Sequence, residues 1–412
     1  MSVRSLADWL SYIERQHPQP IALGLDRVLD VSRRLKIDLA CPVLTVGGTN
    51  GKGSTCAMLE AMLQAGGYRT GLYTSPHLRR YNERVRVGGR EADDAALGAG
   101  FAAVEAARGG VPLTYFEFGT LAALKLFAGA QLDADVLEVG LGGRLDAVNV
   151  VDADCAVLTS VGIDHVEFLG ATREEIGREK AGIFRPGRPA IVSDPNPPET
   201  VLNADADLQL IGRDFGYVTQ DAQWTYWGPL GKRPGLAHPA LRGSVQLRNA
   251  SAALAALDCL RDRLPLAMQD VRRGLAEVSL PGRFQVLPGR PQVILDVAHN
   301  PEAAAVLAAN LGGSGYAPET IAVVGMLKDK DIAGVLRALA PRVTRWHLAT
   351  LQGARGAQAS LLKKFLLQEN IRQPAFEYDS VRAALAAAKK QAGENDKIVV
   401  FGSFLTVADA YG

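Results

Sequence analysis

"LTVGGTNGKGSTCAML", residues 44–59, passes from an apolar run through a glycine cluster into a stretch with the composition of a helix. A strand that delivers the chain to a glycine-rich turn lets several backbone N–H groups converge on one anion, and the following helix turns its positive end to the same point. The spacing is not the usual one. G-x-x-x-x-G-K-[ST] needs glycine at 46 and a hydroxyl at 53, where the chain has Val46 and Gly53. The glycines sit at 47 and 48 instead, and Ser54 comes one place late. Strand, glycines, Lys52, hydroxyl and helix nonetheless coincide, and that combination favours a phosphate site over an incidental strand-to-helix turn. Lys52 would neutralise β/γ-phosphate charge, and Ser54 or Thr55 could hold Mg2+.

Outward from this loop, apolar β-rich runs alternate with helical patterns. CPVLTV (41–46) reads as a strand and STCAMLEAMLQAGG (54–67) as a helix closed by paired glycines. YRTGLYTS (68–75), ADVLEVG (134–140), DCAVLTSVG (154–162) and PAIVSD (189–194) read as further strands. Continuous apolar strands separated by helices predict a mostly parallel sheet covered on both faces. Residues 195–240 lose the rhythm and predict an antiparallel edge or surface excursion. A second α/β series follows the candidate linker LPGRFQVLPGRP (280–291), with strands in QVILDVAH (292–299), TIAVVGML (320–327), RWHLATL (345–351) and DKIVVFGS (396–403). The expectation is therefore an α/β protein: a mostly parallel sheet domain carrying the phosphate loop, residues 1–284, followed by a smaller Rossmann-like α/β domain, residues 285–412.

With 412 residues the chain can build two or three domains. Lys+Arg 45 against Asp+Glu 44 gives a net charge of +1, so no bulk charge points to nucleic acid or a membrane surface. Four scattered cysteines, without C-x-x-C spacing, predict a reducing, cytoplasmic setting. MSVRSLADWLSYIERQ at the start reads as an amphipathic helix with acidic residues rather than a signal peptide, and no apolar run reaches the length of a spanning helix. A dinucleotide site is a weak rival: GLGGRL (140–145) follows a strand, but G-x-G-x-x-G needs glycine where Leu145 stands.

Further motifs follow along the chain: TSPHL (74–78), TYFEF (114–118), EVGLGGRLDAVN (138–149), DH (164–165), REKAGIF (178–184), PGRF (281–284) and DVAHNP (296–301). With G-T-N-G-K-G-S, this ordered set resembles the Mur-ligase superfamily in its folylpolyglutamate synthase form, across nearly the whole chain. The resemblance implies an ATP-dependent, cytoplasmic, monomeric ligase that joins L-glutamate to dihydropteroate and to reduced folates through an acyl phosphate. In such a reaction the protein mainly positions reactants and neutralises charge.

Roles follow by position. Thr49, Asn50, Gly51, Lys52, Gly53 and Ser54 would cradle phosphate. Ser75, Glu138 and His165, each just past or at the end of a strand, would hold Mg2+. Lys180 matches a lysine that is carbamylated in this family, where the resulting anion helps place a second Mg2+; from sequence alone, beside Glu179, it reads as a surface ion pair. Lys52, Glu138, His165 and Lys180 form the expected catalytic set. Asn249, Arg283, Asp296 and His299 match nucleotide contacts, and a domain boundary beside Arg283 suggests closure of two lobes around ATP. Pro20, Ile21, Ala22 and Leu23, then Thr114, Tyr115, Phe116 and Glu117, then Leu145, Asp146 and Ala147, match pterin-binding segments. Tyr115 and Phe116 offer stacking faces, with a core aromatic pair as the alternative; Asp146 could pair with pterin nitrogens or cap a turn. Val297 and Val148 stand where relatives often carry Tyr or Gly and Thr, without loss of a charged group.

Two other functions deserve comparison. A cell-wall amino-acid ligase of the same superfamily predicts a UDP-sugar domain ahead of the loop, where only about 40 residues precede it. A nucleotide switch predicts a base-recognition motif such as N-K-x-D, which the sequence lacks.

Overall fold

The computed structural model describes residues 4–220 and 222–411, which form two compact units. The first comprises the described residues up to 240 together with 247–278; the second comprises residues 241–246 and the described residues from 279 onward. The boundary expected at 284 falls inside the second unit.

Among the described residues of the first unit, eight strands make one sheet: β1 (Val43–Gly47), β2 (Thr70–Tyr73), β3 (Val85–Val87), β4 (Arg90–Glu91), β5 (Ala134–Glu138), β6 (Cys155–Leu158), β7 (Pro189–Val192) and β8 (Asp207–Leu210). Their order is β4-β3-β2-β5-β1-β6-β7-β8. From β2 to β8 all neighbours are parallel, while β3 and β4 add an antiparallel edge. β1, β5 and β6 are buried along their whole length, as doubly covered strands require. Register pairs Val46 with Glu138 and Gly47 with Leu158, so three adjacent strands end level, at the edge where parallel α/β sheets gather ligands.

One face packs Phe101, Phe118, Leu121 and Leu124 from the helices Asp94–Arg108 and Tyr115–Ala128 against Tyr73, Val43 and Leu137. The expected N-terminal helix is Leu6–Ile13, capped by Ser5 and Asp8; residues 1–3 of that stretch lie outside the described residues. Trp9 and Ile13 anchor it in the same core.

Residues 195–240 divide in two. β8 completes the parallel sheet, and β9 (Gly216–Gln220), β10 (Gln223–Gly228) and β11 (Gly231–Ala237) form a separate antiparallel sheet with β10 central. The excursion is thus an element with its own anchors. Trp224 is fully buried and donates its Nε1–H to Ala237 O at 2.9 Å. Tyr226 donates to the Asp258 carboxylate at 2.8 Å, and Arg233 pairs with the same carboxylate. Position 221, within this stretch, lies outside the described residues.

In the second unit β12 (Gln285–Leu287), β13 (Gln292–Leu295), β14 (Thr320–Val324), β15 (Arg345–Ala349), β16 (Ala375–Tyr378) and β17 (Lys397–Phe401) stand in the order β12-β13-β17-β14-β15-β16. All pairs are parallel except β12–β13. β12 comes from the segment read as linker, and β16, the sequence AFEY, escaped the sequence reading. Trp346, Phe401, Leu336 and Leu362 centre its core. The protein is α/β, a large parallel-dominated sheet followed by a smaller one.

Candidate active site

The phosphate loop leaves β1 at Gly47 and enters the helix Lys52–Ala65 after four residues, 48–51. Gly48 (φ +143°) and Gly51 (φ +92°) occupy backbone regions that side chains disfavour, which is why glycine stands there. A Cβ at Gly48 would also run into the Thr159 side chain, and one at Gly51 would meet Asn249 Oδ1 at 2.8 Å. No side chain caps the helix, leaving its N-terminal dipole for an anion. Lys52 Nζ folds back over the loop, 3.0 Å from Gly48 O and 3.3 Å from Thr49 O. Ser54 is buried; Thr55 spends its hydroxyl on Gly51 O at 3.1 Å.

The chain beyond β6 straps this loop. Thr159 Oγ1 lies 2.7 Å from Asn50 O and 3.1 Å from Gly47 O. Ser160 Oγ accepts from Asn50 N at 3.0 Å, and Ser160 O accepts from Thr49 N at 2.8 Å. The Thr49 hydroxyl donates to Gly162 O at 3.2 Å and accepts from Gly162 N at 2.9 Å. Thr159 and Ser160 were not singled out in the sequence. The signal, hydroxyls directly after a buried strand beside the loop-bearing one, is common to many turns.

Glu138 is the last residue of β5, Ser75 lies two residues past β2, and His165, seven residues past β6, stands at the N-terminal cap of the short helix Val166–Leu169. Glu138 is buried, and its Oε2 accepts from Ser75 N at 3.1 Å. His165 is left-handed (φ 52°), with its N–H on Asp164 Oδ1 at 2.9 Å. Among the described residues no three His, Cys, Asp or Glu side chains converge as a complete metal shell. The donor set of one carboxylate, one hydroxyl and one imidazole fits a hard divalent cation that completes its shell with water and phosphate oxygens.

Lys180 lies in the last turn of the helix Arg173–Ala181 and is buried. Burial, reinforced by the Lys52 charge, pushes its amine down to about 7, against the opposing pull of Asp164 and Asp146. Its neighbour Glu179 pairs instead with Arg144 at 2.8 Å. Lys180 is therefore no surface ion pair. Asp146, also buried, accepts from Leu141 N at 2.8 Å and Val148 N at 3.0 Å; burial nevertheless raises it to about 6. It caps the short helix Ala147–Val150.

The segments expected at the pterin end meet one another. The Phe116 ring lies over Gly140, where a Cβ would come within 2.5 Å of it, and 6.0 Å from the Tyr73 ring. Tyr115 meets Tyr81 edge-on at 5.9 Å, with the Arg84 guanidinium 5.6 Å from its centroid. Thr114 and Glu117 cap their helix reciprocally: Thr114 N donates to Glu117 Oε2 at 2.7 Å, and Glu117 N to Thr114 Oγ1 at 3.2 Å. Arg27 donates to Glu117 Oε1 and to Ala22 O, both at 2.8 Å, tying residues 20–23 to that helix. Gly24 N reaches Leu145 O at 3.4 Å, and Ala147 is buried alongside Phe118.

In the second unit, Asp296 follows β13, accepting from Phe284 N and Ala298 N, both at 2.8 Å. Burial raises its carboxyl, against the Arg283 charge. The Arg283 guanidinium lies 5.1 Å from the Phe404 ring centroid, and His299 Nδ1 is 2.9 Å from Val297 O. Arg283, Asp296 and His299 thus gather at the carboxyl end of β13, while Asn249 stands at Gly51 in the first unit.

Residues 46–210 match the Mur ligase middle domain, and residues 282–404 the Mur ligase glutamate ligase domain. Fold, loop and domain pair define an ATP-dependent amide ligase of the Mur-ligase class. The dihydrofolate synthase/folylpolyglutamate synthase of Escherichia coli K12 is 48% identical over 408 residues, 98% of this chain and 94% of that one. Escherichia coli FolC in complex with DHPP and ADP superposes with a TM-score of 0.94 at 47% identity, over 99% of this chain and 97% of that one. A bifunctional folylpolyglutamate synthase/dihydrofolate synthase with Mn, AMPPNP and L-glutamate bound gives 0.91 at 46%, over 99% and 97%. The chain belongs to the dihydrofolate synthase/folylpolyglutamate synthase family.

Proposed function

We propose that this enzyme uses ATP to join L-glutamate to dihydropteroate, forming dihydrofolate, and then to reduced folates, extending a polyglutamate tail. The observation that carries the reading is the uncapped phosphate loop, buttressed from β6, beside a buried Glu138 on the adjacent strand. Residues 49–54 would wrap the phosphates, with Lys52 leaving its two loop carbonyls to neutralise charge on the transferred group. Asn249, Arg283, Asp296 and His299 would hold the rest of the nucleotide. Arg supplies a fork for phosphate, and a strand-end Asp can accept from ribose hydroxyls.

Ser75, Glu138 and His165 would hold Mg2+, which when bound offsets charge on phosphate and carboxylate oxygens. Lys180, with its amine near neutrality, is suited to add carbon dioxide: the ammonium gives up one proton, the freed nitrogen lone pair forms the N–C bond as a C=O π pair moves onto oxygen, and a second proton leaves the nitrogen, so a cation becomes a carbamate anion. Tyr115 and Phe116 would present ring faces to the pterin, with residues 20–23 and 145–147 alongside. In this reading the first unit carries the phosphate and pterin sites and the second is the glutamate ligase domain. The four cysteines are free, which suits a cytoplasmic enzyme, and among the described residues no helix is long and apolar enough to cross a membrane.

The test is ADP release by the purified protein with ATP, Mg2+ and L-glutamate, with and without dihydropteroate. Release that depends on the pterin supports the reading. ADP release that ignores dihydropteroate and every reduced folate tried overturns it.

A further inference from the structure

One ion pair ties two chain segments together at the pterin end, and a third lies against the first of them. Residues 20–23 belong to no helix or strand and are partly exposed, so they need an anchor to keep a shape. Arg27 supplies one. Its Nη2 donates to Ala22 O and to Glu117 Oε1, both at 2.8 Å, and its Nε approaches Glu117 Oε2 at 3.4 Å. Glu117 is almost fully buried, its side chain 4% exposed, and its Oε2 also takes the Thr114 N–H that starts the aromatic helix. The same stretch touches the third segment through Gly24 N and Leu145 O.

Arg27 also stands where local electrostatics disfavours it. It is the second residue of the helix Asp26–Leu35, which has no side-chain cap, and a cation in the first turn opposes the helix dipole. Its fork to a buried carboxylate and a backbone carbonyl offsets that cost, and only a planar guanidinium can meet all three acceptors at once.

We propose that Arg27 and Glu117 are a positioning pair for the pteroate substrate: neither touches it, and together they fix residues 20–23 against the Tyr115–Phe116 helix end so that the pterin slot is formed before binding. The inference rests on the function proposed above. A preformed slot spares the substrate the entropy of ordering its own site, so loss of the pair acts on pterin affinity and spares the nucleotide end.

The experiment is a double-mutant cycle read by KM. Arg27→Gln and Glu117→Gln are each expected to raise KM for dihydropteroate about tenfold, with KM for ATP within about twofold of wild type. The double variant is expected to be no worse than either single one, since each breaks the same contact. Arg27→Lys, which keeps the charge and loses the fork, falls between wild type and Arg27→Gln, and covers failure of Arg27→Gln to fold. If the two KM effects add in full in the double variant, Arg27 and Glu117 do not act through one another and the proposal is wrong. Unchanged KM for dihydropteroate in folded Arg27 variants also overturns it. A wild-type enzyme indifferent to dihydropteroate would instead sink the function itself, so the two failures are distinguishable.

Discussion

Stripping carbon dioxide from this enzyme should cost it activity, and Lys180 is where the loss should originate. With its amine near 7, about half of the Lys180 side chains are neutral at about pH 7, whereas a lysine at the ordinary 10.5 has about 3 in 10,000 neutral. Carbon dioxide adds only to the neutral form, and Lys180 has a roughly thousandfold larger neutral fraction than a surface lysine. The perturbation is degassed, bicarbonate-free buffer against buffer with added bicarbonate, applied to wild type, Lys180→Ala and Lys180→Arg. Wild type should lose turnover without bicarbonate and regain it. Both variants should be nearly inactive in either buffer, because Arg keeps the cation and cannot form a carbamate. NMR with 13C-bicarbonate should show one carbamate carbon that vanishes in both variants. The same burial predicts a stability effect. Without carbon dioxide or metal, the unfolded amine binds its proton up to about 10.5 and the folded amine only to about 7. Stability therefore rises with pH across that window, and the buried amine is most costly at and below pH 7. The cost there is on the order of 4 kcal/mol, so Lys180→Met should melt higher than wild type at neutral pH, with the gain fading toward about pH 10.5. An active Lys180→Arg enzyme, or indifference of wild type to carbon dioxide, would refute the reasoning.

Lys52→Ala should leave the circular-dichroism melt within a few degrees of wild type and reduce turnover by about a hundredfold or more, because its ammonium bonds two loop carbonyls and no acidic side chain among the described residues. Glu138→Gln keeps an acceptor for Ser75 N but removes the charge, so a Mg2+ titration of activity should show a higher midpoint and a lower plateau. Gly140→Ala drives a methyl into the Phe116 ring and should raise KM for dihydropteroate while leaving KM for ATP near its wild-type value; steady-state kinetics in each substrate decides it.

The central strands and the phosphate loop were legible because their physics is local. A buried parallel strand is a continuous apolar run, and left-handed turns at 48 and 51 leave glycines behind. The place of Glu138 at the ligand-gathering edge was legible because a parallel strand delivers its last residue there, whereas Ser75 and His165 lie in the turns beyond β2 and β6. What stayed hidden depends on partners far along the chain. Lys180 beside Glu179 looks like a surface pair until Arg144, 35 positions away from Glu179, takes that glutamate. Thr159 and Ser160 look like turn hydroxyls until β6 lies against β1. Arg27 and Glu117 sit 90 positions apart with nothing in either neighbourhood naming the other. β16 is short, with two exposed residues in four, so it carries no apolar run to read. β12 hid behind the glycines and prolines around it.

The place of β1 between β5 and β6 governs when nucleotide binding can first exist on a growing chain. During synthesis, β1 emerges long before either neighbour, and its glycine turn has no strap until residues 159–162 have followed it out of the ribosome. Asn249, which stands against Gly51, comes later still. Contacts of such long sequence separation form slowly and only once both partners are present. In the proposed reading ATP affinity is therefore acquired late in translation: a chain that stalls after β5 would carry the whole glycine motif without its strap.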